Sequence, residues 1–168
     1  MARIKLSFKP DYEDYLAVSK AATFNKPTLI LMGIMVLSTI ITVVGILIGR
    51  LTLDPNRLLL TIIPPGMFII FLIAAPINLR RKAKKLAAEK HIITWRVTNL
   101  GISIDDNGDN QKYTWEAFGL VQELSKHFIL FFKSNRSKYI FIPKRNFVNA
   151  VEEKEFRDLL GVNQIKLI

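Results

Sequence analysis

Two long apolar runs separated by one short polar loop constrain this chain more than any other feature. Thr28 to Ile48 holds no charged residue, and neither does Leu58 to Leu79. A helix needs about 20 mostly apolar residues to cross the hydrocarbon core of a bilayer. Both runs meet that length, and each predicts a transmembrane helix. The Leu, Ile and Val residues of the first run together favour insertion by on the order of 5 kcal/mol. It begins well after Met1 and no small-residue cleavage site follows it, so it reads as a retained span rather than a secretory signal.

Charge follows the same organisation. Residues 1–90 hold 13 Lys and Arg against 5 Asp and Glu, and residues 91–168 hold 11 against 9. The excess flanks the apolar runs instead of coating a folded domain, which argues against a nucleic-acid partner. Arg80, Arg81, Lys82, Lys84 and Lys85 follow the second run at once, and Arg3, Lys5, Lys9, Lys20 and Lys26 precede the first. The intervening loop offers only Arg50 and Arg57. Cationic loops stay on the cytoplasmic side. The expected topology is a two-pass hairpin in the cytoplasmic membrane with both termini inside. The 80–85 cluster is also a candidate contact for anionic lipid.

Within the first run Ser38, Thr42, Gly45 and Gly49 recur at helical spacing. Such a stripe lets helices approach closely, either against the second span or in a homodimer. Pro64-Pro65-Gly66 interrupts the second run and is expected to kink that helix or start a new one. No ionisable residue lies in either run, which argues against a transport pathway.

The remainder reads as a small α+β unit. Ile4, Leu6 and Phe8 alternate with Lys5, Ser7 and Lys9, the period of a half-buried strand. Pro10 ends it, and Asp11 with Asp14 suits the first turn of a helix over 11–23. After a basic linker over 80–90, strands are expected at 91–98, 102–104, 112–115, 118–124, 128–133 and 138–142. Asn107-Gly108 marks a hairpin. Asn149 caps a last helix whose apolar face is Val151, Phe156, Leu159 and Leu160, and Gly161 should stop it. Trp115 is expected on a strand, buried between the sheet and that helix. A lone N-terminal strand is not stable in water, so Ile4–Phe8 should complete the sheet of residues 91–168.

These segments resemble one known family. The helix Asp11-Tyr12-Glu13-Asp14-Tyr15 comes first and the apolar hairpin second. Val97-Thr98-Asn99-Leu100-Gly101-Ile102 then leads to Tyr113-Thr114-Trp115, and Ile142-Pro143-Lys144-Arg145-Asn146-Phe147 precedes a Glu-rich helix. The order is similar to that of the YcxB-like bacterial membrane proteins, with Asn146 where the family usually has Ala. The resemblance implies bacterial origin and a C-terminal domain similar to a pleckstrin-homology fold. It supplies no activity to carry over to individual residues.

Chemical motifs are sparse. There is no cysteine, which excludes disulfides, thiolate nucleophiles and Cys-ligated metals. No hydrolase, zinc-protease, P-loop or dinucleotide fingerprint occurs. His91 and His127 lack a nucleophile or metal partner at fixed spacing and read as ordinary strand-end residues. Asp105, Asn107, Asp109 and Glu116 match positions of a calcium loop. Asn110 replaces its turn glycine, however, and strands flank it, so a hairpin accounts for the same letters. No cofactor is expected. Lys144 and Arg145, with Arg96, Lys112 and Lys138, are candidates for a headgroup or partner surface, against the alternative of a solvated sheet edge. The expected function is a membrane-anchored, non-enzymatic interaction module. The alternative is an accessory subunit of a membrane enzyme or transporter complex.

Overall fold

The computed structural model describes residues 4–24, 26–49, 55–89, 92–135 and 137–168. The expectations placed on Arg3, His91 and the loop 50–54 lie outside the described residues. The chain divides into two compact units, Met1–Val18 with Ala83–Ile168, and Ser19–Lys82. Among the described residues there are four helices and two four-stranded sheets, an α+β arrangement.

The first unit is built on the alternation at the N-terminus. In β1 (Ile4–Phe8), Ile4, Leu6 and Phe8 are buried while Lys5 and Ser7 are exposed. β1 lies antiparallel against β2 (Ile93–Val97), pairing Ile4 with Val97 and Phe8 with Ile93. β2 pairs with β3 (Gly101–Asp106), and β3 with β4 (Asp109–Thr114). The pairing expected for the N-terminal strand is therefore present, across a sequence gap that holds both apolar runs. The β3–β4 turn is the Asn107-Gly108 hairpin, with φ of 56° and 94°, as this turn class requires. Gly101 is fixed by a different constraint. Its φ is 153°, and a Cβ there would meet the Tyr113 carbonyl oxygen at 2.0 Å.

The second sheet orders β7 (Tyr139–Pro143), β6 (His127–Phe132), β5 (Phe118–Glu123) and β8 (Lys166–Leu167). β8 runs parallel to β5, a strand the alternation does not announce because it is only two residues long. β6 is buried on both faces. Its Phe128 and Leu130 join the main core with Trp95, Val97, Trp115 and Phe156. A helix, α4 (Ala150–Val162), closes that core with Phe156, Leu159 and Leu160.

Several boundaries differ from expectation for physical reasons. Trp115 opens a 3-10 turn over Trp115–Ala117 instead of ending a strand. There its indole Nε1 donates to the Thr98 carbonyl at 3.0 Å and its ring lies 6.5 Å from that of Phe156. It is buried as expected. Val151 sits in the first turn of α4 and is 74% exposed, so it is not part of the apolar face. Asn149 caps the helix, accepting from the Glu152 amide at 2.9 Å. Gly161 does not stop it. The helix continues to Val162, and Gln164 takes the left-handed conformation with φ of 55°.

α1 (Tyr12–Thr23) starts with a reciprocal cap. The Asp11 amide donates to Asp14 Oδ2 at 3.0 Å, and the Asp14 amide donates to Asp11 Oδ1 at 2.9 Å. The remaining helices belong largely to the second unit. α2 (Lys26–Leu47) is long and apolar enough to cross a membrane, and none of its apolar window is buried. Ser38 and Thr42 return their hydroxyls to the Met35 and Ser38 carbonyls at 2.8 and 2.9 Å, leaving no unpaired side-chain donor on that stretch. Gly49 lies beyond the helix with φ of 67°. Gly45 and Gly49 therefore do not form a pair on one helical face, and the stripe is limited to Ser38, Thr42 and Gly45. α3 (Pro55–Ala88) runs as one helix through Pro64-Pro65-Gly66, so no new helix starts there. Within this unit the rings of Phe24 and Phe71 meet edge-on at 6.2 Å.

Candidate functional site

The most concentrated chemistry in the described structure is an ionic cluster that joins α1 to the second sheet. Asp14, on the first turn of α1, is almost fully buried. Its Oδ1 accepts from His127 Nε2 at 2.8 Å and from Arg145 Nη1 at 2.5 Å. Its Oδ2 accepts from Arg145 Nη2 at 2.5 Å, and Arg145 also reaches Asp11 Oδ2 at 3.2 Å. Burial pushes the Asp14 carboxyl up. The bonds from His127, Arg145 and the Asp11 amide outweigh burial and hold it well below the usual carboxylate range. The planar guanidinium suits this two-oxygen grip, which lysine cannot reproduce.

His127 begins β6 and is itself buried. Its ring lies 6.1 Å from that of Phe141, and the Tyr15 ring packs on Phe141 at 5.6 Å. A histidine–carboxylate pair is one element of many catalytic sites, but general-base work requires a reacting group within hydrogen-bond reach. Here Nε2 is held by Asp14 inside the fold, and the ring is buried. The geometry is that of a tether, fastening the start of α1 to the ends of β6 and β7.

A second cluster lies on the α4 side. Glu123 Oε1 accepts from Lys144 Nζ at 2.5 Å and from Arg157 Nη2 at 2.8 Å. Glu153 also bonds Arg157 and stands 3.6 Å from Lys144 Nζ. Both cations approach the Phe128 ring, at 4.7 and 5.4 Å from its centroid. The Arg157 bond, opposed by burial and aided by Lys144, lowers the Glu123 carboxyl to about 2.

These contacts place the residues singled out from the sequence. Lys144 and Arg145 are adjacent in the chain but serve different clusters, and each is engaged by carboxylates of the fold. They do not form a common basic surface with Arg96 and Lys112. Those two stand on the outer face of the first sheet, opposite each other across Ser103. Arg80, Arg81, Lys82, Lys84 and Lys85 are all exposed on the C-terminal stretch of α3, with Ala83 fully buried among them. His127 is the residue whose role the sequence concealed. Its carboxylate partner, Asp14, lies 113 positions away, a separation that no local pattern encodes. Asp11–Tyr15 and Ile142–Phe147, both singled out in the sequence, supply the Asp11, Asp14 and Arg145 of the cluster.

On the outer face of the first sheet, a shallow groove of about 310 Å3 is lined by Arg96, Thr98, Leu100, Ser103, Lys112 and Thr114, among others. The fold and these clusters define a small α+β domain, stapled by ion pairs, in a chain that has, among the described residues, one helix of membrane-spanning character. Residues 97–160 match the family model described as YcxB-like protein, so this domain is YcxB-like. The match takes in β3 to α4 and both C-terminal motifs, and stops short of the Asp11–Tyr15 helix and the apolar runs. No curated protein and no solved structure matches the chain.

Proposed function

We propose that the chain is a membrane-anchored, non-enzymatic interaction module. Its spans at about 28–48 and 58–79 form a two-pass hairpin, and the YcxB-like domain faces the cytoplasm together with both termini. The observation that carries this reading is the surface of α2. Leu29, Ile30 and Leu31 are each more than half exposed, and as consecutive residues they point about 100° apart, to different sides of the helix. A helix apolar all round needs apolar surroundings, and a bilayer supplies them along its whole length. The cations bordering both apolar runs favour the orientation. The four-stranded sheet followed by β5, β6, β7 and a closing helix supports a pleckstrin-homology-like architecture for the domain. Its two polar clusters are internally satisfied, which suits a rigid scaffold for binding better than a reacting centre.

Membranes from cells expressing the full chain, washed at alkaline pH, test the anchoring. Retention in the pellet is expected, and release into the wash refutes it. Purification in mild detergent then separates this function from that of an accessory subunit. A stoichiometric partner protein that persists through purification would favour the subunit. Ser38, Thr42 and Gly45 form the surface of α2 through which such a partner, or a second copy, would approach most closely.

A further inference from the structure

We infer that the outer face of the first sheet binds the phosphate groups of anionic lipid, with Arg96 and Lys112 as the ligating cations and Leu100 entering the bilayer interface. Sheet register places Lys5, Arg96, Ser103 and Lys112 in one row across β1 to β4, one residue from each strand. The inward rows on either side of it are core, so these four share the outward face. Lys5, Arg96 and Lys112 are exposed, and none has an ion-pair partner among the described residues. Lys5 and Arg96 are direct cross-strand neighbours. Like charges in that position destabilise a sheet, whereas Lys144, Arg145 and Arg157 in the two clusters described above are each paired with carboxylates. The acid of this face, Asp105, lies one row further along, where its Oδ1 accepts from the Gly108 amide at 3.1 Å. An anion bridging Arg96 and Lys112 would relieve the repulsion.

The groove supplies the space. Thr98, Gly101 and Thr114 line it beside the two cations. The apolar element sits at the same end. Leu100 is 84% exposed at the tip of the β2–β3 turn. The turn is held rigid because the Thr98 hydroxyl accepts from the Leu100 and Gly101 amides, both at 3.2 Å, and donates to the Gly101 carbonyl at 3.0 Å. A fixed, exposed leucine next to unpaired cations combines the two attractions that hold surfaces to anionic membranes. A lipid is favoured over free phosphate because Leu100 gains nothing from a soluble ion. This binding rests on the anchoring proposed above, which would keep the face at high effective concentration near headgroups.

The absence of cysteine permits a clean test on the full chain. Leu100→Cys carries an environment-sensitive fluorophore, and the protein is reconstituted in phosphatidylcholine alone or with about one-third phosphatidylglycerol. A blue shift in the anionic vesicles only is expected. The double variant Arg96→Glu, Lys112→Glu should abolish it, and each single neutralisation should weaken it about five-fold. Added salt should erase it in the parent, a readout that needs no variant to fold. An equal shift in phosphatidylcholine, or no shift in either, would overturn the inference. A shift reproduced in detergent by glycerol phosphate would assign the face to a soluble phosphate instead and overturn the lipid. Alkaline washing of the same vesicles reads anchoring separately. A chain that washes off refutes the anchor, and the probe on anionic vesicles added from outside still reports on the face.

Discussion

Replacing Asp14 with Asn keeps the side chain's size and removes its charge, and the structure sets the expected loss. Asp14 accepts from His127, twice from Arg145 and once from the Asp11 amide. Hydrogen bonds to a charged group contribute about 1.5–3 kcal/mol and neutral ones about 0.5–1.5 kcal/mol. Arg145 is half exposed, so its share is discounted towards the surface ion-pair value of about 0–1 kcal/mol. His127 is buried and cannot turn to water, and the amide of an Asn would also aim one donor at other donors. That mismatch costs about 1–3 kcal/mol. The sum is roughly 3 kcal/mol. The assay is favourable because the chain has two tryptophans, Trp95 and Trp115, and both are buried in this domain. Their fluorescence during denaturation of the detergent-solubilised full chain therefore reports on the domain and not on the apolar helices. Asp14→Asn should lower the midpoint, and combining it with Arg145→Gln should give clear non-additivity, as expected for residues in one network. Unfolding within about 0.5 kcal/mol of the parent, the range of an ordinary surface change, would refute the tether.

Three further outcomes follow from the same unit. Trp115→Ala should destabilise by about 3–5 kcal/mol as a core truncation, read from the remaining Trp95 signal; a parent-like midpoint would place Trp115 outside the core. Leu6→Ala should cost about 2–5 kcal/mol, because Leu6 pairs with Trp95 and is buried; no change would mean that β1 does not complete the sheet. Acid should destabilise the domain. The Glu123 carboxyl lies at about 2 against an ordinary 4.5, and Asp14 is lowered as well. The native state then binds fewer protons than the unfolded chain, so this stability is present above about pH 4.5 and is lost as pH falls towards 2. Glu123→Gln should flatten that slope in pH-dependent denaturation, and an unchanged slope would contradict the assignment.

Local periodicity made most elements legible. The alternation of Ile4, Leu6 and Phe8, the Asn107-Gly108 turn and the Asn149 cap each act over a few residues, and each appears where the pattern puts it. The pairing of β1 with β2 was legible by elimination, since a lone strand needs an edge. Failures occurred where tertiary contacts override local preference. Trp115 leaves the strand geometry to reach the Thr98 carbonyl, and α4 passes Gly161 because the left-handed residue it needs is supplied at Gln164. The site was the least legible part. Lys144 and Arg145 read as a solvent-facing basic pair because charge counts carry no direction. The carboxylates that claim them, Glu123 and Asp14, lie 21 and 131 positions away.

Cysteine accessibility in intact cells tests the central claim most directly, because the chain contains no cysteine of its own. Single cysteines at Asn56, between the two apolar runs, and at Asp109, exposed on the β3–β4 hairpin, are treated with a membrane-impermeant thiol reagent. A hairpin anchor with a cytoplasmic domain predicts labelling at position 56 in intact cells and at position 109 only after the membrane is opened. Labelling at position 109 in intact cells with protection at position 56 would contradict the orientation, and protection of both would contradict the two-pass anchor.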